Sequence, residues 1–272
     1  MHFYNNLMDV SIIIPVHKPD KNILKRIRLA IDLQKFSGRK EVLLESGGGL
    51  SENINSGIEK ARYPIIVTIH QDSIPVGRNW LSKLTAPLKN KSYAASVSDV
   101  ELPKELWNRF GLIAKILSVK ELKVITPLLD EKGCAYRKEA LIEAGLFNSK
   151  TFRSAGEDFA MYLELCKIGK IAYPHTKIIH YHFHTWRNRF GKEIQLANAF
   201  GALVRIYGRK MPLWYRGFLK ATPLVGWPFF FGGIQFSKLG KIAVLSPIVL
   251  LLAHVLYIIG FWKGFLRGNQ TL

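Results

Sequence analysis

The chain reads as an α/β protein, a mainly parallel sheet sandwiched by helices, with a C-terminal helical region of different character. Three observations predict this. Short apolar, β-branched runs alternate with stretches of helical periodicity over residues 1–184, the pattern of right-handed crossovers and a mainly parallel sheet. Hydrophobic residues make up 48% of the 272 residues and charged residues 22%, enough for a well-filled core and unlike a disordered chain. Beyond residue 184 the charge balance changes abruptly. The expected organisation is therefore a domain over 1–184 and a basic, hydrophobic helical region over 185–272.

Taken in order, VSIIIP (10–15) is a buried parallel strand ended by Pro15. After a loop at 17–20, Ile23, Leu24, Ile27 and Ile31 recur at helical spacing with Lys and Arg opposite. EVLL (41–44) is a second strand, ESGGGLSEN a flexible loop, and Asn55 to Ala61 a short helix. PIIVTIH (64–70) is a third strand, WLSKLTAPL (80–88) a helix disturbed by Pro87, and YAASV (93–97) a fourth strand. In such sheets a ligand site lies beyond the carboxyl ends of the strands. Three strand ends bring Pro15-Val16-His17, Glu45-Ser46-Gly47 and His70-Gln71-Asp72 to one rim. No P-loop, G-x-G-x-x-G motif or internal repeat is evident.

The full chain carries 39 Lys+Arg and 20 Asp+Glu, a net charge of +19. Residues 185–272 hold 12 basic groups and a single acid, Glu193, net +11. A segment so poor in carboxylates calls for an anionic partner. Nucleic acid is not expected, because the basic residues flank apolar runs and no recognition motif accompanies them. Anionic lipid headgroups are expected instead. IAVLSPIVLLLAHVLYIIGFW (242–262) has 21 residues without Asp, Glu, Lys or Arg. As a helix it is about 31 Å long, close to the hydrocarbon thickness of a bilayer. Residues 221–236 are also uncharged but are interrupted by Pro223, Pro228 and Gly232-Gly233, which suits an interfacial piece. Lys238 and Lys241 precede the long stretch, and Lys263 and Arg267 follow it, so the positive-inside rule sets no orientation and a span and an in-plane helix both stay open. Lys192, Arg205, Arg209 and Lys210 are expected near headgroups. The start, MHFYNNLMDV, lacks a signal peptide's basic and apolar regions, and Cys134 and Cys166 suit a reducing compartment. The expected location is the membrane, with the first domain on its cytoplasmic face.

VSIIIPV, the strand-end acid Glu45, Asn55 with Gly57, and IIVTIHQDSIPVGRNWL resemble the N-terminal half of family 2 glycosyltransferases. GCAYRKEALIEAGLFN (133–148) and AGEDFAMYLELCKIGKIAYPHTKIIHYH (155–182) resemble the acceptor half of the same family, in the same order. The match covers roughly residues 9–184. It implies the A-type, Rossmann-like glycosyltransferase fold, a nucleotide-diphosphate sugar donor and, usually, a divalent metal. Several members carry C-terminal membrane helices and use lipid-linked acceptors.

The resemblance implies a role for each matched residue. Asp72 aligns with the final acid of the Asp-x-Asp element and would hold metal or diphosphate through oxygen. His70 and Gln71 depart from that element, which favours Mn²⁺, an ion that accepts imidazole, over Mg²⁺. Glu45, followed by Ser46 and Gly47, stands where the family holds the nucleoside, and Pro15, Val16 and His17 where it lines the base pocket. Asn55 and Gln71 complete the nucleotide-sugar set. In Gly156-Glu157-Asp158, Asp158 would deprotonate the acceptor hydroxyl in an inverting reaction, with Glu157 orienting acceptor or loop. His180, His182 and His184 alternate, so on a strand they would share one face; His182 is the expected further metal ligand. Trp186-Arg187-Asn188-Arg189 is expected as a mobile flap, with Arg187 gripping the leaving diphosphate and Arg137 doing so from the acceptor side.

The reaction so implied moves a sugar from a nucleotide-diphosphate donor to a saccharide or polyprenyl-linked acceptor. A catalytically inactive, membrane-anchored nucleotide-binding or scaffold protein on the same fold is the alternative.

Overall fold

A computed structural model describes residues 8–232, 234 and 236–268. Residues 1–7, which include most of the N-terminal stretch weighed above for a signal peptide, and Gly233 lie outside them. The strands are β1 (Val10–Pro15), β2 (Lys40–Glu45), β3 (Ile65–Ile69), β4 (Ser73–Pro75), β5 (Tyr93–Val97), β6 (Asp99–Glu101), β7 (Gly133–Arg137), β8 (Lys170–Ala172) and β9 (Lys177–His180). The helices are α1 (Lys21–Asp32), α2 (Leu50–Lys60), α3 (Trp80–Thr85), α4 (Lys104–Arg109), α5 (Leu112–Ser118), α6 (Lys138–Glu143), α7 (Glu157–Ile168), α8 (Trp186–Tyr207), α9 (Tyr215–Lys220), α10 (Trp227–Phe231) and α11 (Ser246–Arg267).

The chain forms two compact units. The first comprises residues 8–101, 124–149 and 157–181, the second 102–123, 150–156 and 182–268. Two internal segments therefore belong with the C-terminal unit, an exchange that a single boundary at 184 does not reveal.

The first unit is built on a six-stranded sheet of order β2-β1-β3-β7-β5-β8. β1 pairs in parallel with β2 and β3, and β5 in parallel with β8, while β7 runs antiparallel to both β3 and β5. The expected mainly parallel sheet is present, with β7 as its one reversed strand. Alternation along β1 explains why its whole run is apolar. Ile12 and Ile14 pack with Ile27 and Ile31 of α1 and Trp80 of α3 on one face, whereas Ile13 packs with Ile54 and Ile58 of α2 on the other.

Local chemistry sets the helix starts. Asp20 caps α1, its carboxylate accepting the N–H groups of Asn22 and Ile23. α2 begins at Leu50 rather than Asn55, because Glu52 folds back onto the Gly49 N–H at 2.6 Å and converts half of the expected loop into the first helical turn. Pro87 ends α3, and a 3₁₀ turn over Ala86–Lys89 follows. A small second sheet, order β4-β9-β6, pairs Ser73 with His180.

The second unit is helical. α8 and α11 pack side by side, and one helix, Phe236–Arg267 with its 3₁₀ first part, is long and apolar enough to cross a membrane.

Candidate functional site

The C-terminal end of β3 is the centre of the rim in the first unit. Because β7 is reversed, its first residue, Gly133, pairs with Ile69, the last of β3. The turn before β7 (Asp130, Glu131, Lys132) is thereby delivered to the same end as His70-Gln71-Asp72. The small sheet adds a third segment: Ser73 lies opposite His180, and the Tyr181 N–H donates to the Asp72 carbonyl at 2.7 Å.

Asp72 Oδ1 lies 3.3 Å from His180 Nε2. His182, the expected further ligand, belongs to the second unit. A carboxylate oxygen beside an imidazole nitrogen is a mixed donor pair, which suits a first-row divalent ion better than Mg²⁺. His70 stands apart from this pair. Burial, aided by the Lys132 ammonium, pushes its imidazole down to about 4, so it is neutral at physiological pH, and its Nε2 is buried without a hydrogen-bond partner.

Asp130, Glu131 and Lys132 are functional candidates that motif reading did not find. Lys132 Nζ lies 2.7 Å from Asp130 Oδ2 and also reaches Asp130 Oδ1 at 3.0 Å. Burial opposes ionisation of Asp130, but the charge of Lys132 and the hydrogen bonds from Lys132 outweigh it and hold the carboxyl below its usual range. Lys132 is likewise penalised by burial yet held above its ordinary value by Asp130, with Asp158 adding to the effect. Glu131 is 1% exposed, and its Oε1 has no hydrogen-bond partner. Burial pushes this carboxyl well above the carboxylate range, and repulsion from Asp158, Glu157 and Asp130 pushes it further. The signal available in the sequence was an acid-acid-base run just before an apolar strand, invisible as a site without the strand's direction.

Glu157 and Asp158 begin α7, Glu157 buried and Asp158 half-buried, with Asp158 Oδ1 accepting the Phe159 N–H at 2.7 Å. Gly156, in the second unit, has φ +82° and sits against Ala199 and Phe152, so a Cβ there would be both strained and crowded.

The remaining expected residues have mixed placements. Pro15 ends β1, and the Val16 N–H donates to the Glu45 carbonyl at 2.8 Å. His17 is exposed and held by Gln71, whose amide bonds both polar groups of the His17 backbone. Gln71 thus ties two strand ends together. Glu45 is buried, and its Oε2 accepts from Ser56 Oγ at 2.8 Å and Lys60 Nζ at 2.7 Å. Ser46 and Gly47 follow it exposed on the rim, Gly47 with φ +98°.

Four expectations need correction. Asn55 spends both ends of its amide on the Phe147 backbone, at 2.8 and 3.0 Å, and so is a tie within the fold. Arg137 pairs with Ile65 at the start of β3, the end of the sheet away from the rim, and its guanidinium binds the Tyr93 carbonyl and Glu139. The reversal of β7 is the reason. His180, His182 and His184 do not share a strand face, since β9 ends at His180; His184 is buried beside Glu121 at 3.4 Å and edge-on to Phe110. The expected flap is the first turn of α8, capped by Thr185; Arg187 lies exposed over Trp186, and Arg189 pairs with Glu121 and Glu193.

No protein-family model and no curated protein sequence matches the chain. Solved structures do. One is the mannosyltransferase PcManGT from Pyrobaculum calidifontis, in complex with GDP-Man and Mn²⁺, at 14% identity and TM-score 0.57 over 97% of this chain and 88% of that one. Another is GalNAc-T7 with UDP, GalNAc and Mn²⁺, at 16% identity and TM-score 0.52; the match covers 89% of this chain but 55% of that one, about half its length. A mycobacterial protein matches at 13% identity and TM-score 0.51, over 71% of this chain and 73% of that one. At such identities the likeness is one of fold: a central sheet flanked by helices, arranged as in A-type glycosyltransferases.

Proposed function

We propose that the chain is a metal-dependent glycosyltransferase that moves a sugar from a nucleotide-diphosphate donor to an acceptor at the cytoplasmic face of a membrane. The observation that carries this is the joining of two groups on one rim. Asp72 and His180 stand 3.3 Å apart just beyond the C-terminal end of β3, and the reversed β7 brings Asp130, Glu131 and Lys132 to the same end. The solved structures of the same fold that contain a nucleotide or nucleotide sugar with Mn²⁺ support the reading.

In it, Asp72 and His180 hold the divalent ion, with Mn²⁺ favoured by the imidazole. The ion would neutralise the donor diphosphate as the glycosidic bond to it breaks. Lys132 supplies a second positive charge on the same rim. Ser46, Gly47 and the segment Pro15–His17 line the nucleoside side, with Glu45 as a wall anchored by Lys60. Asp158 takes the proton from the acceptor hydroxyl as that oxygen attacks the anomeric carbon, which inverts its configuration. The exposed apolar C-terminal helix favours an acceptor presented at a membrane, of the polyprenyl-linked type.

The test is a thermal-shift panel with UDP, GDP, CDP and dTDP, each with Mn²⁺, Mg²⁺ or EDTA. A nucleotide at 100 times its dissociation constant adds about 2.7 kcal/mol to stability. A metal-dependent shift with one nucleotide is expected, followed by transfer from its sugar conjugates. No shift with any of them overturns the donor site.

A further inference from the structure

We infer that α11 is an in-plane membrane anchor, seated on an anionic lipid surface by one apolar face while its other face stays packed on α8, and does not cross the bilayer.

Three observations within the second unit carry this. The first is how tightly α11 is bound to α8. A Cβ placed on Gly264 would lie 1.9 Å from the Asn198 carbonyl oxygen, one on Gly201 2.1 Å from that of Phe261, and one on Gly260 2.7 Å from that of Ile194. Residues 194, 198 and 201 of α8 thus meet 260, 264 and 261 in turn, so the helices run in the same direction with backbones in contact. Arg205 extends the match by donating to the Phe265 and Leu266 carbonyls, which caps the C-terminal end of α11.

The second is what α8 carries. Arg187, Arg189, Lys192 and Glu193 occupy its first two turns, and Arg205 its last. Its charge-free stretch, Ile194–Val204, rises only about 16 Å, half of what hydrocarbon requires. A spanning α11 would draw these charges into the bilayer or have to leave its close-packed partner. Neither is needed if α11 lies flat.

The third is the unpartnered face. Ile248, Leu251, Leu252, Val255, Ile259 and Leu266 of α11 are exposed along one side of the helix, Ile248 at 71%, and Val244 in the 3₁₀ segment just before it is 81% exposed. The opposite stripe, including Leu250, Ala253, His254, Phe261 and Gly264, is buried. Two side-chain bonds hold that orientation: His254 Nε2 to the Lys220 carbonyl at 2.7 Å, and Trp262 Nε1 to the Ala221 carbonyl at 3.0 Å. Among the 12 basic groups and one acid of residues 185–272, Arg209, Lys210, Lys238, Lys241 and Arg267 are exposed. An apolar stripe with cations and almost no carboxylates matches the headgroup boundary of an anionic membrane.

The inference refines the membrane placement proposed above and does not depend on the transfer reaction. Its test uses the full chain with Cys166→Ser, carrying either Lys241→Cys or Arg267→Cys, in sealed membrane vesicles from expressing cells. A membrane-impermeant maleimide should label both positions from the same side, before detergent. Protection of one until detergent is added means a span and overturns the inference.

A second measurement uses purified protein and phosphatidylcholine vesicles with or without phosphatidylglycerol. Wild type should bind the anionic vesicles about tenfold or more tightly than the neutral ones. The Ile248→Glu/Val255→Glu variant should lose that binding while keeping its melting temperature and its nucleotide-induced shift. Equal binding to both vesicles, or a wild-type dimer that the variant dissociates without any vesicle binding, assigns the face to another role and overturns the inference. An absent nucleotide shift alongside intact vesicle binding counts against the donor site alone.

Discussion

Gln71 grips the main chain of His17 at both of its polar groups: Oε1 accepts the N–H at 2.7 Å and Nε2 donates to the carbonyl at 3.0 Å. The side chain at the middle of the His70-Gln71-Asp72 run therefore works on the backbone of the neighbouring strand end. It sets the spacing between the loop after β1 and the start of the donor set at Asp72.

Gln71→Ala should cost no more than about 2 kcal/mol, since both bonds are near the surface. Nucleotide affinity should fall more than Mn²⁺ affinity, because the tie orders the nucleoside-side loop. Calorimetry with Mn²⁺ alone, then with nucleotide, separates the two.

Asp72→Asn and His180→Ala should each weaken Mn²⁺ binding by at least about tenfold, the scale on which even outer partners of a metal matter. His70→Gln should leave it nearly unchanged, since His70 lies outside the donor group. Titration followed by the electron paramagnetic resonance of free Mn²⁺ reads this directly.

Asp158→Asn should retain the nucleotide-induced thermal shift and lose about 10²–10⁴-fold in turnover. Near-normal turnover would remove Asp158 as the base.

Glu131 gives a pH prediction with a definite sign. Its carboxyl pKa is raised in the fold, by burial first and then by the nearby Asp158, Glu157 and Asp130 carboxylates. The unfolded chain ionises it at the ordinary value, so the native state binds the extra proton. Its contribution is full below that ordinary value and is lost as pH rises toward the folded one, at up to about 1.4 kcal/mol per unit. Glu131→Gln should flatten the decline in melting temperature between pH 5 and 8 and raise it at pH 8. Parallel curves for the two proteins would refute the assignment.

Two glycines should respond oppositely to alanine. Gly264→Ala places a methyl against the Asn198 backbone and should cost at least about 1–3 kcal/mol. Gly191→Ala, in α8 with open space around its Cβ position, should gain about 0.5–1 kcal/mol. Urea melts of both variants, compared at constant m-value, make the measurement.

The sequence by itself determined much of the scaffold. β1, β3 and β5 were legible because each is a compact β-branched or small-residue run bounded by breakers, and burial on both faces leaves no room for polar alternation. Asp72 and the acids at the start of α7 were legible because a carboxylate at a strand end or helix start stands out locally. The basic, apolar C-terminal region was legible from charge and composition.

Tertiary structure decided the rest, because pairing direction and packing partner are not local properties. The reversal of β7 brought Asp130, Glu131 and Lys132 to the rim and carried Arg137 to the far end. Register between β4 and β9 set His180 beside Asp72, whereas the sequence alone points to His182 as the further ligand. Asn55 offered an amide for a ligand, but a turn at Phe147, 92 residues away in sequence, claims both of its ends. The apolar length of α11 permits either a span or an in-plane helix; the glycine-lined contact with α8, from which the in-plane placement is inferred, exists only in the packed structure.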